Sequence, residues 1–322
     1  MKQTLTVGAD AAGQRVDLFV GQRLDLSRSR LKALFEAEKI RVDGRKVKKG
    51  HAVQQGQTVE VELDDAPTAP VADAAITLTV LYEDASLVVV DKPAGVPAQP
   101  LRPGESGTVV NALLAKYPEM ATVGDDPREA GLCHRLDVET SGVLLAARTR
   151  RAWEAMRAAF SGDDRHAVTK RYLALVTGPL ADEGEIDVPL THAGDHVNAT
   201  LDGSGRPALT RFSVRARRGE YALVDVQLVT GVLHQVRAHL AAIGAPIVGD
   251  TLYGGREEEG LERFFLHAVS LGVRHPDTGR WLVVEAELPE ELGKVLDRRL
   301  PDRSLEDFSP MAKPRGPTVI PV

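Results

Sequence analysis

The sequence predicts an α+β protein, in which a small N-terminal module of helices and strands precedes a larger domain built on a mixed, largely antiparallel sheet with packed helices. Three observations lead to this class. The chain has 322 residues, 43% of them hydrophobic, which is enough material for two separate cores. From about residue 78 onward short strand-like runs recur without the regular strand–helix alternation of a parallel α/β fold. Between the two parts, residues 64–76 open Asp-Asp-Ala-Pro-Thr-Ala-Pro, show no apolar period and read as a linker. The expected layout is therefore a module over 13–63, a linker over 64–76, a second domain over 77–300 and a Pro-rich, poorly ordered tail over 301–322.

In the module, Val16, Phe19 and Val20 recur at helical spacing, and Leu31, Leu34 and Phe35 repeat the pattern after Ser27-Arg28-Ser29-Arg30, with Ser27 or Ser29 as N-cap. Lys39–Val42 alternates charged and apolar residues, Asp43-Gly44 is a hairpin turn signal, and Thr58–Leu63 alternates again. Charge is lopsided here. Residues 28–49 hold nine Lys or Arg against three acids, inside a chain of net charge −6. Arg28, Arg30, Lys32 and Arg41 thus suit phosphate contacts, which position nucleic acid without reading its sequence; a solvated charged face is the plainer alternative. The order of these elements resembles the RNA-binding module first described in ribosomal protein S-four, which implies RNA binding.

In the second domain Leu87–Val90 is a buried-strand run closed by the turn Asp91-Lys92-Pro93-Ala94-Gly95, since Pro93 has no N–H to continue a central strand. Lys92 reads as an exposed turn lysine that can also reach a substrate. Val109, Val110, Leu113 and Leu114 predict a helix, as do Trp153, Met156 and Phe160 further on. Lys170, Tyr172, Ala174 and Val176 share one face of a strand, and the plain reading of Tyr172 is a half-buried ring whose hydroxyl finds a backbone partner. Residues 186–229 look like several strands. Leu233, Val236 and Leu240 then predict a helix carrying His234 and Arg237, followed by a Gly-punctuated loop over 244–254.

One polar bend stands out. His134-Arg135-Leu136-Asp137-Val138-Glu139-Thr140-Ser141-Gly142 lies between apolar Gly131-Leu132-Cys133 and the strand Val143–Ala147. Asp137 is either a turn-former or a carboxylate held for chemistry. Several chemistries are disfavoured by what is missing. No Walker loop, dinucleotide fingerprint or His-Glu-x-x-His set occurs, and the nine histidines are scattered, so neither a cofactor nor a metal is expected. Ser141 lacks the flanking glycine of a nucleophile elbow. Asp137 with Glu139 leaves a glycosidase open, although two neighbours in a turn point in different directions. A single nucleophilic carboxylate acting on a sugar or an electron-poor ring, beside an RNA-binding module, points to a nucleoside of RNA.

The single cysteine, Cys133, excludes an intramolecular disulfide, no run approaches the roughly 20 apolar residues of a membrane span, and Met1-Lys2-Gln3-Thr4 lacks a signal peptide's apolar core. A cytoplasmic protein without membrane contact is expected. With no long exposed apolar helix, a monomer is expected too.

His134-Arg135-Leu136-Asp137-x-x-Thr140-Ser141-Gly142 resembles the signature of the RluA-type pseudouridine synthases, which isomerise uridine in RNA. The resemblance spans about 80–290 through four further motifs: Leu87 to Gly95, Lys170-x-Tyr172-x-Ala174-Leu175-Val176, His234-Gln235-Val236-Arg237-x-His239, and Gly244-x-Pro246 to Gly254. It implies the pseudouridine synthase fold, no cofactor, and RNA as partner, with ribosomal RNA of the large subunit favoured over tRNA by the extra module. By position, Asp137 would be the nucleophile, Tyr172 would lie against the flipped base and help remove the carbon 5 proton, and Arg237 would pair with Asp137. Arg135 would help hold the extruded nucleotide, with His134, Thr140 and Lys92 also at the RNA. Two departures fall on the rim: Val232 where the family usually has Arg, and Val138-Glu139 in place of a basic–acidic pair. The second function compatible with these residues is an RNA-binding or ribosome-assembly factor that no longer turns over.

Overall fold

The computed structural model describes residues 2–302 except 25, 27, 64–69, 103, 162–166, 195 and 201, and the side chains of 28–30 and 33 also lie outside it. Two compact units result, 1–68 and 69–322.

In the first unit, β1 (Lys2–Thr6) precedes α1 (Val16–Leu24) and α2 (Arg28–Glu36), then β2 (Ile40–Val42), β3 (Arg45–Lys46) and β4 (Thr58–Glu62) complete a sheet of order β1-β4-β2-β3. Val16, Phe19 and Val20 of α1 and Leu31 and Leu34 of α2 are buried against Ile40, Val42, Val59 and Val61, so the helical and alternating apolar periods meet in one core. Asp43 and Gly44 both have positive φ, 47° and 74°, and join β2 to β3 by the two-residue turn that matches strand twist. β1 lies outside the span that the sequence pattern marks: its residues are mostly polar and alternate exposed with half-buried, so it has no hydrophobic signature and owes its place to backbone pairing with β4. Ser27, one expected N-cap, lies outside the described residues, and Ser29 falls inside α2.

The second unit contains β5 (Thr79–Glu83), β6 (Leu87–Lys92), α3 (Val109–Lys116), β7 (Ser141–Ala147), α4 (Arg150–Ser161), β8 (Val168–Thr177), β9 (Glu183–Asp187), β10 (Leu190–Ala193), β11 (His196–Ala199), β12 (Leu209–Arg218), β13 (Tyr221–Leu228), α5 (Gln235–Ala242), β14 (Leu266–Arg274), β15 (Trp281–Glu285) and α6 (Glu290–Arg299). Nine strands form one sheet in the order β5-β6-β7-β14-β8-β13-β12-β9, with β15 paired to β14. Among the described residues only β7 and β14 run parallel; the other pairs are antiparallel, which is the mixed sheet of the expected α+β class. β10 and β11 form a separate hairpin.

Burial of both faces explains the unbroken apolar runs Leu87–Val90 of β6 and Val143–Ala147 of β7. Val88, Val90, Leu144 and Ala146 face a core that includes α3, α5 and α6, while Leu87, Val89, Val143, Leu145 and Ala147 face α4 through Trp153 and Met156. α3 begins with a capping box, Thr108 accepting from the Asn111 N–H and Asn111 from the Thr108 N–H. α5 starts at Gln235, two residues later than the apolar spacing from Leu233 suggests, because His234 adopts a left-handed conformation (φ 52°) and becomes its N-cap. α6 carries no motif but buries Leu292, Val295 and Leu296.

Candidate active site

Asp137 sits in the loop that feeds into β7, and every carbonyl of that loop from 137 to 139 is held. The Thr140 N–H donates to the Asp137 carbonyl (3.1 Å) and the Gly95 N–H to that of Val138 (3.0 Å). The Lys92 ammonium donates to the Val138 carbonyl as well (2.8 Å), and Arg263 Nη1 donates to that of Glu139 (2.9 Å). At the loop's far end Gly142 (φ 112°) lies so close to β14 that a Cβ would come within 2.2 Å of the Ala268 carbonyl oxygen, so only glycine allows the parallel contact of β7 and β14. A short polar bend is thereby made rigid by elements distant in sequence.

The functional side chains converge on Asp137. Arg237, on the first turn of α5, donates from Nε (2.7 Å) and Nη2 (2.9 Å) to both oxygens of buried Asp250, and its Nη1 reaches Asp137 Oδ2 at 3.3 Å. Its guanidinium lies between the rings of Tyr253 (5.0 Å) and Phe264 (4.2 Å). Burial works against the guanidinium charge, but the Asp250 and Asp137 carboxylates more than offset it and raise its pKa. His234 Nε2 approaches the same Asp137 oxygen at 3.9 Å, while its Nδ1 meets the Tyr253 hydroxyl at 3.1 Å; that hydroxyl accepts from the Val197 N–H of β11 (3.0 Å). The left-handed backbone of His234 is a strained position for a residue with a side chain, and it is what turns the imidazole toward Asp137. Gln235 holds the preceding loop: its Oε1 accepts from Thr230 Oγ1 and the Val232 N–H, and its Nε2 donates to the Leu209 carbonyl and Thr210 Oγ1.

Tyr172 on β8 is 7% exposed, and its hydroxyl has no hydrogen-bond partner among the described residues, contrary to the plain reading of a ring tied to the backbone. Burial, reinforced by the nearby Asp137 charge, pushes its phenol above the ordinary range, so the group facing the site is a neutral phenol. Asp137, Tyr172 and Arg237 are thus brought together from a loop, a strand and a helix, whereas Arg135 is exposed at the surface of the bend.

Three of the other expected contact residues lie elsewhere. Lys92 is not an exposed turn lysine: it is the last residue of β6, fully buried, with its three N–H bonds used on the carbonyls of Pro93 (2.8 Å), Val96 (2.7 Å) and Val138 (2.8 Å). Burial pushes its ammonium down to about 7, while three carbonyl acceptors favour the charged form; it acts on the loop, with no donor left for RNA. His134 stacks on Phe160 (4.7 Å between centroids) and accepts from the Leu145 N–H, and burial holds it neutral, so it braces β7. Thr140 is 2% exposed, with a buried hydroxyl that has no hydrogen-bond partner among the described residues. In the first unit Lys32 is exposed beside Glu36 (3.7 Å) and Arg41 donates to the Gly44 carbonyl (3.4 Å); the side chains of Arg28 and Arg30 lie outside the described residues. No cluster of His, Cys, Asp or Glu among the described residues has the form of a metal site, and no described helix is long and apolar enough to cross a membrane.

Sequence patterns assigned no role to Asp250, Tyr253, Phe264 or Arg263. Asp250 and Tyr253 at least fall in the glycine-punctuated loop, whose close turns are a signal of a shaped site. Arg263 carries none, yet it donates to the carbonyls of Glu139 and Leu266, to Ser141 Oγ and to Glu291. Ser141 passes this on to His267 Nδ1 (2.9 Å), leaving His267 Nε2–H for the Ala286 carbonyl (3.4 Å). Ser141 is therefore a buried structural hydroxyl with both hydrogen-bonding roles occupied.

The sheet thus brings together a pinned Asp loop, a buried Arg on that Asp and a neutral Tyr beside it. The family model described as RNA pseudouridylate synthase matches residues 86–242. A ribosomal large subunit pseudouridine synthase D of Xanthomonas campestris pv. campestris is 36% identical over 301 residues, covering 89% of each chain. An uncharacterized RNA pseudouridine synthase of Chloroflexus aurantiacus is 39% identical over 307 residues, 94% of this chain and 95% of its own. Among solved structures, human RNA pseudouridylate synthase domain containing 4 has a TM-score of 0.55 at 26% identity, covering 68% of this chain and 92% of that one. The chain belongs to the RNA pseudouridine synthase family, and it is an isomerase of uridine in RNA.

Proposed function

We propose that this enzyme forms pseudouridine in large-subunit ribosomal RNA, using Asp137 as nucleophile. The observation that carries this reading is the placement of Arg237 Nη1 3.3 Å from Asp137 Oδ2, across 100 residues of sequence, on a loop whose three carbonyls are all held. A carboxylate so fixed meets a nucleotide only after the base leaves its stack, so the substrate is bound with the target uridine flipped. Asp137 attacks the nucleoside or promotes its cleavage; the bond from ribose carbon 1′ to N1 breaks, the uracil turns, and carbon 5 bonds to carbon 1′. The carbon 5 proton then leaves and N1 gains one, which keeps the reaction an isomerisation. Tyr172 packs on the base as a neutral phenol, so to help remove that proton it must hand its own on, and Asp137 lies within its electrostatic reach. Exposed Arg135 steadies the nucleotide chain at the mouth. The first unit, with exposed Arg45, Lys46, Lys48 and Lys49, resembles an S-four-type module and adds affinity for structured RNA through phosphate contacts. The ribosomal target is supported by the name of the Xanthomonas relative and by that module.

The test is tritium release from RNA labelled at uracil carbon 5, prepared from cells lacking the gene. Asp137→Asn is expected to bind this RNA but lose turnover by at least about 10⁴-fold, the scale of losing a nucleophile. Turnover within tenfold of wild type would refute the role of Asp137, and pseudouridine mapping of that RNA would refute the ribosomal target if the lost sites lay in tRNA.

A further inference from the structure

We propose that Lys170 is an RNA-binding residue that holds a backbone phosphate next to the target uridine; this rests on the RNA substrate of the proposed function. β8 keeps unbroken register with β13 from Lys170 opposite Leu228 to Thr177 opposite Tyr221. Lys170 and Tyr172 therefore project from the same face, about 7 Å apart along the strand. That places an ammonium within one nucleotide's reach of the phenol beside Asp137.

The surroundings of the ammonium lack an anion. Its Nζ donates to the Thr230 carbonyl (2.9 Å) and lies 6.0 Å from the centroid of Phe160. Among the described residues two of its N–H bonds have no acceptor, and no carboxylate lies within 4 Å. Lys92 spends its three N–H bonds on carbonyls, and the shielded arginines Arg171 and Arg215 pair with Asp225, Arg211 with Glu185, and Arg237 with Asp250. Leaving a half-buried charge uncompensated costs several kcal/mol in general, and a fold retains it where a ligand supplies the counter-charge. Burial alone pushes Lys170 down to about 8, and the groups facing it cannot restore the balance: His134 is held neutral, Phe160 is apolar, and Thr230 offers a carbonyl.

RNA presents one kind of anion, the phosphodiester. Arg237 is already neutralised by two carboxylates, and the rim positions Val138 and Val232 are apolar, so Lys170 adds, beside exposed Arg135 at the mouth, a cation with charge to spare next to Tyr172. The approach is also open. Gly231 is exposed, and a Cβ there would stand 3.4 Å from Lys170 Nζ, so glycine leaves room above the ammonium that any side chain would crowd.

The test uses the full chain and in-vitro-transcribed large-subunit ribosomal RNA, with Lys170→Met and Lys170→Arg. Lys170→Met is expected to weaken filter-measured binding about tenfold near 0.1 M salt and to lower the slope of log K against log salt by about one. KM should rise with kcat within about threefold, and the thermal midpoint should stay level or rise, since an uncompensated charge has gone. Lys170→Arg should keep wild-type binding and keep it from pH 7 to 9, where wild-type binding falls as Lys170 loses its proton. An unchanged salt slope and KM in Lys170→Met would overturn the proposal, as would a fall in kcat alone, which would mark a residue that shapes the site. Wild-type protein that binds this RNA but releases no tritium would count against the proposed function, while the slope comparison would still decide Lys170.

Discussion

Replacing Asp250 by asparagine preserves shape and removes a charge that Arg237 needs. Asp250 is 1% exposed and receives two guanidinium N–H bonds, at 2.7 and 2.9 Å. Hydrogen bonds to charged groups are worth about 1.5–3 kcal/mol each, and breaking a buried pair from one side costs about 3–5 kcal/mol. Since asparagine still accepts one bond, a loss of about 3 kcal/mol is expected in urea unfolding. Turnover should suffer separately. With one anchor gone, Arg237 shifts toward Asp137, its remaining carboxylate at 3.3 Å, and a displacement of about 1 Å at a reacting group costs on the order of 10²-fold. Tritium release should therefore show kcat down about 100-fold with KM less affected. The double variant Arg237→Met with Asp250→Leu separates the two effects, because an apolar pair packed between Tyr253 and Phe264 should recover most of the stability and none of the turnover. Asp250→Asn with kcat within threefold of wild type and less than about 1 kcal/mol of lost stability would refute the claim that Asp250 sets the position of Arg237.

Two further outcomes follow from the buried groups around the loop. Lys92→Met leaves the Val138, Val96 and Pro93 carbonyls without their ammonium partner, so the Asp137 loop should loosen and kcat fall about 10- to 100-fold with RNA affinity little changed; unaltered kcat would mean that the remaining loop bonds suffice. His134 and His267 are held neutral by burial, down to about 3 and 4 respectively, whereas in the unfolded chain they titrate near 6.5. The unfolded state thus binds more protons below 6.5, so stability is full above that pH and is lost as pH falls toward 4. From pH 6.5 to 5 the loss should be at most about 3 kcal/mol, and His267→Gln should roughly halve it; a flat urea midpoint over that range would contradict the buried neutral histidines.

Much of the fold was legible because its signals are local. The stripe of Val16, Phe19 and Val20, the Asp43-Gly44 turn and the apolar runs Leu87–Val90 and Val143–Ala147 each depend on residues a few positions apart, and each forms the element that its pattern indicates. β1 and α6 went unread for the converse reason. The first is a polar edge strand placed by pairing, and the second buries three residues in a helix otherwise charged. Lys92 was misread because the proline after it looks like a turn, while the strand runs two residues beyond Val90 and carries the Lys92 ammonium inward.

By itself the sequence determined the α+β class, the bend around Asp137, and the candidates Tyr172 and Arg237, since residue type, period and motif order are properties of the chain. Tertiary structure alone decided what each polar group does. Lys92 meets Val138 across 46 residues, Arg237 meets Asp137 across 100, and Arg263 meets Glu139 across 124. In a buried site the role of a charge is set by which partners satisfy it, and those partners are neighbours only after the chain has folded.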